Sequence, residues 1–571
     1  MPPIDPTAGV SPAAYPPPGN FPGDAIREEL DPPDARIDVG VAIVGGGPAG
    51  LSCAIRLLQL LADAPEVMEK LGEVPVAVIE KGKFCGAHDL SGAVMRPSGL
   101  AALFPGMDPS EWPTYGQVDE DAVYWMHGPS SATHIRPTPP TFRNRGNHVV
   151  SVSELAQWLA ARAEEAGAYV LTGTSAEKLL VGSGAVRGVR SGDKGRTRDG
   201  SPSPKFEPGV DITAKATVLA DGPWGYLGRA AIEAFHLDEG REPQTWALGV
   251  KEVWEVKKPL GRVIHTLGWP LRYAAKWHEF GGSWIYPMGE DKVSLGFVLG
   301  LGYTDATVSA HDILQLFKTS DLVREILEGG ERIAWGAKVI PEGGFWALPR
   351  LHAPGVVLVG DTAGMVNVPN LKGIHYAIHA GIEAAGAIFA ALREDSNDFS
   401  AYEARLRDSL VWSDLYTSRN MRQPFDRGFY AGSAIANLMV ATGGAFPGGR
   451  WKNRPDREAA MVLGDKAASY PRPDGKYIFD KLSSVFTSGV STRDDEPSHI
   501  RVARRVPREV AETWRWMCPA GVYEIDEGTA DGNMVDVIVN SPNCVQCGAI
   551  TAKGGRLTPP EGGTGPAYRI T

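Results

Sequence analysis

The clearest pattern in the chain is an apolar run, a glycine-rich turn and then apolar residues at helical spacing. Residues 39–44 read VGVAIV, residues 45–50 read GGGPAG, and residues 51–61 read LSCAIRLLQLL. A second apolar run, VPVAVI, occupies residues 74–79. Short apolar runs bounded by glycine and alternating with helix-period segments are typical of a parallel sheet. We therefore predict an α/β fold (α+β over the whole chain) that opens with a β-α-β unit.

The glycine turn of this unit predicts a dinucleotide-binding loop. Gly45 permits a tight turn, Gly47 lets the backbone approach a pyrophosphate, and Gly50 lets the helix pack closely on the strand. The helix N-terminus then faces the phosphates. The loop residues predicted to contact the nucleotide are Gly45, Gly47, Pro48, Ala49 and Gly50. Glu80 follows the second strand and is the expected acceptor for the ribose hydroxyls; the competing interpretation is a plain glycine turn with a surface glutamate.

Two later segments change the prediction from a dinucleotide to FAD. Residues 216–225 run from an apolar strand into Asp221-Gly222, and residues 355–381 run through Gly360-Asp361 into a helix. These segments resemble those of glutathione-reductase-like flavoproteins, in which a Gly-Asp pair closes over FAD and the aspartate binds a ribityl hydroxyl. A turn aspartate after a buried strand is common in other folds, so only the three segments together predict FAD.

Composition limits the remaining classes. The length of 571 residues predicts two to four structural units. A net charge of -11 argues against a general nucleic-acid binder. Five cysteines in so long a chain do not make a disulfide framework, which favours a reducing compartment. The proline-rich and acidic residues 1–38 are expected to form a disordered or wrapping arm.

Three of the five cysteines stand near the C-terminal end, as Cys518, Cys544 and Cys547. The last two form a Cys-x-x-Cys pair, but an iron-sulfur ligand run would place a further cysteine at position 550, where the chain has Ile550. Three alternatives stay open: a cluster on three thiolates, a three-iron or other metal site, or a metal-free module kept for its fold. We favour the metal-free module, because losing a thiolate weakens the site sharply.

Beyond these motifs, the chain after residue 38 resembles the electron transfer flavoprotein-ubiquinone oxidoreductase family. The resemblance rests on blocks spread along the sequence, among them GAHDLSGAVMRP (86–97), EPQTWALGVKEVW (242–254), HTLGWPL (265–271), GGSWIYP (281–287), EGGFWALPRL (342–351), DGKYIFDKLSSVFTSG (474–489) and PEGGTGPAY (560–568).

This resemblance implies a two-part, glutathione-reductase-like FAD domain, an inserted quinone domain that contacts the membrane, and a ferredoxin-like domain with one [4Fe-4S] cluster. It also implies electron transfer flavoprotein as the electron donor and a membrane quinone as the acceptor. Cys518, Cys544 and Cys547 match three of the family's four cluster ligands, and Ile550 stands at the fourth. Gly281 and Gly282 match the family's quinone site, and we expect Trp269, Pro270, Leu271, Trp284 and Tyr286 around them. Further FAD contacts are implied at Lys81, Ser91, Gly92, Gly364 and Gly373.

The expected domain order follows from these assignments. Residues 1–38 form the arm, 39–235 and 346–395 the two parts of the FAD domain, 236–345 the quinone domain, 396–470 a helical membrane-associated region, and 471–571 the ferredoxin-like domain.

The apolar, uncharged residues 429–449, flanked by Arg422, Arg427, Arg450 and Lys452, predict either an interfacial helix with basic anchors or a buried core helix. The resemblance favours the interfacial helix, and with it a peripheral protein at the cytoplasmic face of a bacterial inner membrane. Two alternatives to quinone reduction stay open: a FAD-dependent reductase of an isoprenoid or other lipid, and a non-catalytic flavin-bearing assembly subunit. Tyr286 and His375 are candidate proton carriers, although a structural role is the competing interpretation for each.

Overall fold

The computed structural model describes residues 9–571 and confirms the α/β class, with two large sheets and smaller ones around them. The first sheet has nine strands. Its main path runs in the order Ile26–Arg27, Ala176–Gly182, Ala185–Ser191, Asp211–Leu219, Ile37–Val44, Val76–Ile79 and Tyr169–Leu171, and Val356–Leu358 joins Asp211–Leu219 with His352–Ala353 beyond it. The strands around Ile37–Val44 are parallel, as the β-α-β pattern predicts.

The second sheet has seven strands. Their order is Glu331–Pro341, Trp246–Glu255, Lys292–Gly300, Gly281–Met288, Val263–Gly268, Asp121–Gly128 and Ser131–His134. All neighbours are antiparallel except Val263–Gly268 and Asp121–Gly128, which run parallel. Four small sheets complete the fold: Val94–Met95 with His148–Val150 and Thr114–Gln117, Lys194–Arg196 with Pro202–Glu207, Ile500–Arg501 with Arg556–Leu557, and Arg505–Pro507 with Met534–Val539 and Tyr523–Asp531.

Helices cover the first sheet and connect it to the second. They are Pro48–Ala62, Pro65–Met68, Ser98–Leu103, Val152–Glu165, Tyr226–Ala234, Ala310–Phe317, Asp321–Leu327, Ile374–Arg393, Ala401–Arg407, Leu410–Thr417, Phe429–Ala441, Lys481–Thr487, Arg508–Met517 and Ala549–Ala552. Pro48–Ala62 packs on Ile374–Arg393 so closely that a Cβ at Gly381 would collide with the backbone of Ala49. Because both helices start at the same edge of the first sheet, their N-termini point toward one region.

The N-terminal arm makes ordered contacts from residue 9 onward, and residues 1–8 lie outside the described part of the chain. Val10 exchanges backbone hydrogen bonds with Met461, and Ile26–Arg27 pairs in parallel with Ala176–Gly182. These contacts join the segment to the first sheet and to the region around Met461.

The C-terminal module, which carries the three cysteines, is tied to the second sheet and to the helix Val152–Glu165. The Val339 N–H donates to the Cys547 carbonyl at 2.9 Å, and the Ser153 hydroxyl donates to the Tyr568 carbonyl at 2.7 Å. The buried cores of the second sheet and of this module form one continuous cluster. The cysteine loop is therefore held directly against the sheet that was predicted to carry the quinone site.

Candidate functional site

One large cavity of about 810 Å³ lies between the two sheets and connects most of the predicted site residues. Of the FAD positions, those in its wall are Gly45, Gly47, Pro48, Ala49, Glu80, Lys81, Ser91, Gly92, Asp221, Gly222, Asp361 and Gly373. Gly281 and Gly282 of the quinone assignment line it as well. Gly50, Gly360 and Gly364 do not line the cavity. Gly50 packs against the loop, and a Cβ there would collide with the Gly45 carbonyl.

The glycine loop has the backbone geometry of a phosphate-binding turn. Gly45 has φ of 109°, and a Cβ there would collide with the Ala220 carbonyl. A Cβ at Gly47, by contrast, would meet only the Asp89 carboxylate at 3.4 Å, so the space in front of Gly47 opens into the cavity. The helices Pro48–Ala62 and Ile374–Arg393 both begin at the cavity wall, where their free N–H groups favour an anion.

The acidic residues of the site are held in different ways. Glu80 is buried and accepts hydrogen bonds from the N–H groups of Gly46 at 2.8 Å and Gly82 at 2.6 Å. A carboxylate has about four acceptor positions, so Glu80 retains capacity for hydroxyl donors. Asp221 accepts from the first turn of Tyr226–Ala234. Burial raises the pKa of Asp361 to about 6 although Lys338 opposes the shift.

The apolar end of the cavity is formed by the second sheet and by Phe429–Ala441. Phe280, Gly281 and Gly282 lie on one side, and Phe429 and Val440 lie on the other. Trp284 and Tyr286 line the cavity as expected, but Trp269, Pro270 and Leu271 do not; that part of the expectation is wrong. These three residues follow the end of Val263–Gly268, and Trp269 and Leu271 line a second, smaller pocket instead.

The segment 272–280 contributes to this end of the cavity. The Arg272 guanidinium pairs with Glu279, inside the segment, at 2.6 Å and with Asp305, in the loop after Lys292–Gly300, at 2.7 Å, which ties the segment to that loop. The ring of Tyr273 lies 4.0 Å from that of Phe429, centroid to centroid, and Phe280 lines the cavity. The segment therefore shapes the cavity next to the apolar helix.

Phe429–Ala441 is apolar yet largely exposed. Only Gly432 and Met439 are buried in it, whereas Tyr430 is 72% and Leu438 is 44% exposed. This contradicts the buried-core interpretation of the helix. Among residues 9–571, no helix combines the length and apolar character that crossing a membrane requires. Of the four flanking cations, Arg422 is occupied by Glu342 and Arg450 by Glu242.

The cysteines stand beside the cavity and not in its wall. The Cys518 thiol accepts from the Val522 N–H at 3.5 Å and the Cys544 thiol accepts from the Gln546 N–H at 3.3 Å. Burial raises the pKa of Cys544 and that of Cys547, the latter to about 12. Within the described residues, no three His, Cys, Asp or Glu side chains converge as ligands of a single metal ion. Ile550 is 4% exposed and packs beside Gly555 and Val502.

Gln546, between the paired cysteines, links their loop to the cavity and was not foreseen. Its side-chain carbonyl accepts from the Lys81 ammonium at 2.9 Å, and both residues line the cavity. Lys338, also in the wall, lies close enough to Cys544 and Cys547 for its charge to matter to them. Burial lowers the pKa of Lys81 to about 8, and the charge of Lys338 adds to that effect. No local motif marks these residues, because the contacts join segments far apart in the chain.

Comparison with known proteins agrees with this architecture. A family model described as "ETF-QO, ubiquinone-binding" matches residues 246–340, and one described as "Electron transfer flavoprotein-ubiquinone oxidoreductase, 4Fe-4S" matches residues 475–569. Among solved structures, a geranylgeranyl bacteriochlorophyll reductase-like protein from Thermoplasma acidophilum has 18% identity and a TM-score of 0.52, covering 76% of this chain and 94% of its own. At that identity the likeness concerns the fold alone.

Curated relatives match over nearly the whole chain. The mitochondrial electron transfer flavoprotein-ubiquinone oxidoreductase of Arabidopsis thaliana is 37% identical over 565 residues, covering 96% of this chain and 86% of its own length. The electron transfer flavoprotein-ubiquinone oxidoreductase of Pseudomonas aeruginosa is 36% identical over 559 residues, covering 93% and 98%. The chain thus belongs to the electron transfer flavoprotein-ubiquinone oxidoreductase family.

Proposed function

We propose that this protein takes electrons from reduced electron transfer flavoprotein and delivers them, through FAD, to a membrane quinone. The observation that carries the proposal is the single cavity, which runs from the glycine loop at Gly47 to the apolar wall at Gly281 and Phe429. A cofactor and an apolar acceptor can therefore lie in contact. The relatives' names support quinone reduction over the lipid reductase and the assembly subunit.

The residues present fit FAD. Gly47 leaves room for a pyrophosphate in front of the first helix, and Glu80 remains able to accept ribose hydroxyls. When bound, FAD supplies an isoalloxazine that accepts electrons from a protein donor and passes them on. Ser91 and Gly92 are held in the wall by the Lys251 ammonium, which donates to the Ser91 carbonyl at 2.9 Å, and by the Ser294 hydroxyl, which donates to the Gly92 carbonyl at 3.1 Å.

The residues present do not fit a [4Fe-4S] cluster on four thiolates. The three cysteines do not converge as ligands of a single metal ion among the described residues, and Ile550 has no donor atom and is already packed into the core. We therefore assign no electron-transfer step to a cluster in this chain. We propose instead that the module holds Gln546 and Lys81 in place at the cavity, and that the cysteines serve its packing.

The exposed apolar helix is proposed as the membrane contact of a peripheral protein at the cytoplasmic face of the bacterial inner membrane. Tyr430 and Leu438 point outward while Ser433 and Val440 line the cavity. A long-tailed quinone could then enter directly from the lipid beside this helix. Arg427 and Lys452, which form no ion pair among the described residues, are the cations free to meet anionic headgroups.

The test is steady-state reduction of a soluble ubiquinone analogue by the purified protein, with reduced electron transfer flavoprotein as the donor. We expect turnover that requires both proteins and protein-bound flavin. Turnover with NAD(P)H and an isoprenoid substrate, but none with electron transfer flavoprotein and quinone, would contradict the proposal.

A further inference from the structure

A buried histidine and tyrosine share the quinone end of the cavity, and no motif assigned them a joint role. His265 lies on Val263–Gly268 and Tyr286 on Gly281–Met288, two neighbouring antiparallel strands. His265 Nε2 and the Tyr286 hydroxyl are 2.8 Å apart. Both residues line the cavity, and they are only 2% and 4% exposed.

The strand register places this pair next to the predicted quinone glycines. His265 stands opposite Trp284. Gly282 and Tyr286 are therefore its two diagonal neighbours, two residues to either side of Trp284 on the same face of the sheet. Diagonal neighbours lie about 7–8 Å apart. At that separation the His265 imidazole can reach a quinone ring that rests on the Gly282 backbone.

The second nitrogen of His265 has no partner among the described residues. Nδ1 is buried and makes no hydrogen bond. The Tyr286 hydroxyl has Nε2 as its described partner, and a hydroxyl that donates there places the imidazole hydrogen on Nδ1. A buried N–H without an acceptor costs about 1–3 kcal/mol. A bound molecule with a carbonyl oxygen would supply that acceptor.

Resting on the function proposed above, we propose that His265 Nδ1–H binds one carbonyl oxygen of the quinone and donates the proton that this oxygen takes on reduction. Tyr286 is the positioning residue that fixes the tautomer and restores the proton.

The quinone gains two electrons, supplied by the proposed activity, and two protons. At one oxygen the Nδ1–H bond breaks and a quinol O–H bond forms, while the Tyr286 hydroxyl passes its proton to Nε2 and takes one from water. The second oxygen takes its proton from water in the cavity. The histidine ends neutral, with a hydrogen on Nε2. After the quinol leaves, Nδ1 takes a proton from water in the cavity and Nε2 returns one to Tyr286, which releases its own hydroxyl proton to water, so both residues regain their starting state.

Burial, with a smaller contribution from nearby charges, keeps both groups neutral. Burial lowers the pKa of His265 to about 3, and the charge of Lys372 contributes. Burial raises the pKa of Tyr286, and the charge of Asp121 contributes. Lys372 donates to the Asn144 side-chain carbonyl at 2.7 Å, and Asp121 accepts from the Asn144 backbone N–H at 2.7 Å. Asn144 therefore holds both charged groups. The uncharged ring of Phe142 packs on His265.

The experiment compares variants by kcat, by KM for a soluble ubiquinone analogue and by the solvent isotope effect on quinone reduction. His265→Leu removes both donor and proton; we expect KM to rise and kcat to fall by about 10²–10⁴-fold. His265→Asn keeps an N–H near the position of Nδ1 but no transferable proton, so KM should stay near the wild-type value while kcat falls. Tyr286→Phe should lower kcat and change the isotope effect with little change in KM.

Tyr402→Phe is the matched control, since Tyr402 is buried outside the cavity and its hydroxyl has no partner in the described structure. It should match the wild type in every measurement. Wild-type kcat and KM in His265→Leu would overturn the inference, and so would wild-type kcat in His265→Asn. If His265→Leu loses its flavin absorbance, the inference is tested with His265→Asn and Tyr286→Phe that retain their flavin. A wild-type protein that reduces no quinone would overturn the proposed function and this inference together.

Discussion

At the scale of single residues, Ile550 and Gly47 show opposite constraints. Ile550 fills its site with a branched side chain against Gly555, where a Cβ would already lie 2.6 Å from it, so the packing leaves no room for a ligand. Gly47 contributes no side chain, and the space in front of it opens into the cavity. A side chain fills the space at Ile550 and excludes a ligand, whereas the absence of a side chain at Gly47 leaves room for a cofactor.

Replacing Gly47 by valine should yield a folded protein that lacks flavin. Gly47 has φ of -89°, which any residue can adopt, and a Cβ would meet only the Asp89 carboxylate, so the fold should tolerate the change. The valine methyl groups would occupy the space of the pyrophosphate. Flavin absorbance per chain and circular dichroism measure both effects. Gly261→Val, at a glycine with open space around it, is the control and should keep full flavin.

The cysteine module is expected to bind no iron and to tolerate loss of a thiol. Cys544→Ser should leave quinone reductase activity within about twofold of wild type, because only modest packing is lost. Iron and acid-labile sulfide in anaerobically purified wild-type protein should be near zero. Close to four irons per chain, or loss of activity in Cys544→Ser with flavin retained, would refute this assignment. Either result would favour electron transfer through an iron-sulfur cluster.

At the scale of secondary-structure elements, Phe429–Ala441 stands apart because its apolar side chains face outward. Exposed apolar patches of this kind mark interaction sites. The structure also decides which substitutions test it: Met439 is fully buried, so changing it would disturb packing, whereas Tyr430 and Leu438 are exposed.

The double variant Tyr430→Asp with Leu438→Asp should lose liposome binding while its flavin is still reduced by a soluble donor. Two carboxylates in the interface oppose burial of the apolar face and repel anionic lipid. Co-sedimentation with vesicles of phosphatidylglycerol and phosphatidylethanolamine measures the effect. Tyr169→Asp with Ile37→Asp changes two side chains that are 58% and 44% exposed elsewhere, and it should bind vesicles like wild type. Equal binding by both double variants would refute the membrane assignment of the helix.

At the scale of the whole molecule, a buried ion network joins the second sheet to the C-terminal module. Glu252 pairs with Lys318 at 2.7 Å and with Arg332 at 3.4 Å, and Arg332 donates to the Ser484 hydroxyl in Lys481–Thr487. Burial alone would raise the pKa of Glu252, but Lys318 and Arg332 lower it to about 2. The ionised form therefore stabilises the fold.

This network predicts a defined loss of stability in acid. Because the folded pKa of Glu252 lies below its unfolded value, its contribution is present above about pH 4.5 and disappears as the pH falls toward 2. Glu252→Gln should thus lower the melting temperature most at pH 7, where Lys318 and Arg332 lose their partner, and the difference from wild type should shrink toward pH 3. Glu290→Gln, at an exposed site, should match wild type throughout. A constant difference across pH would contradict this role.

The sequence predicted the parts of this molecule that depend on neighbouring residues. The strand Ile37–Val44, the loop and the helix Pro48–Ala62 follow from local glycine and apolar spacing, and they lie where expected. Gln546 against Lys81, and His265 against Tyr286, arise from packing between distant segments, which spacing does not encode. The placement of Trp269 in a second pocket was missed for the same reason. The resemblance predicted a quinone site at Gly281 and Gly282, whereas the contact of His265 with Tyr286 beside them was visible only in the structure.

The central claim is that one cavity brings a flavin and a quinone into contact. It is tested most directly by a single turnover without any protein donor. Anaerobic protein with its flavin chemically reduced is mixed with a soluble ubiquinone analogue, and flavin absorbance is followed in a stopped-flow instrument. The account predicts rapid reoxidation with one quinone converted to quinol per flavin. Flavin that stays reduced in the presence of excess quinone would contradict it.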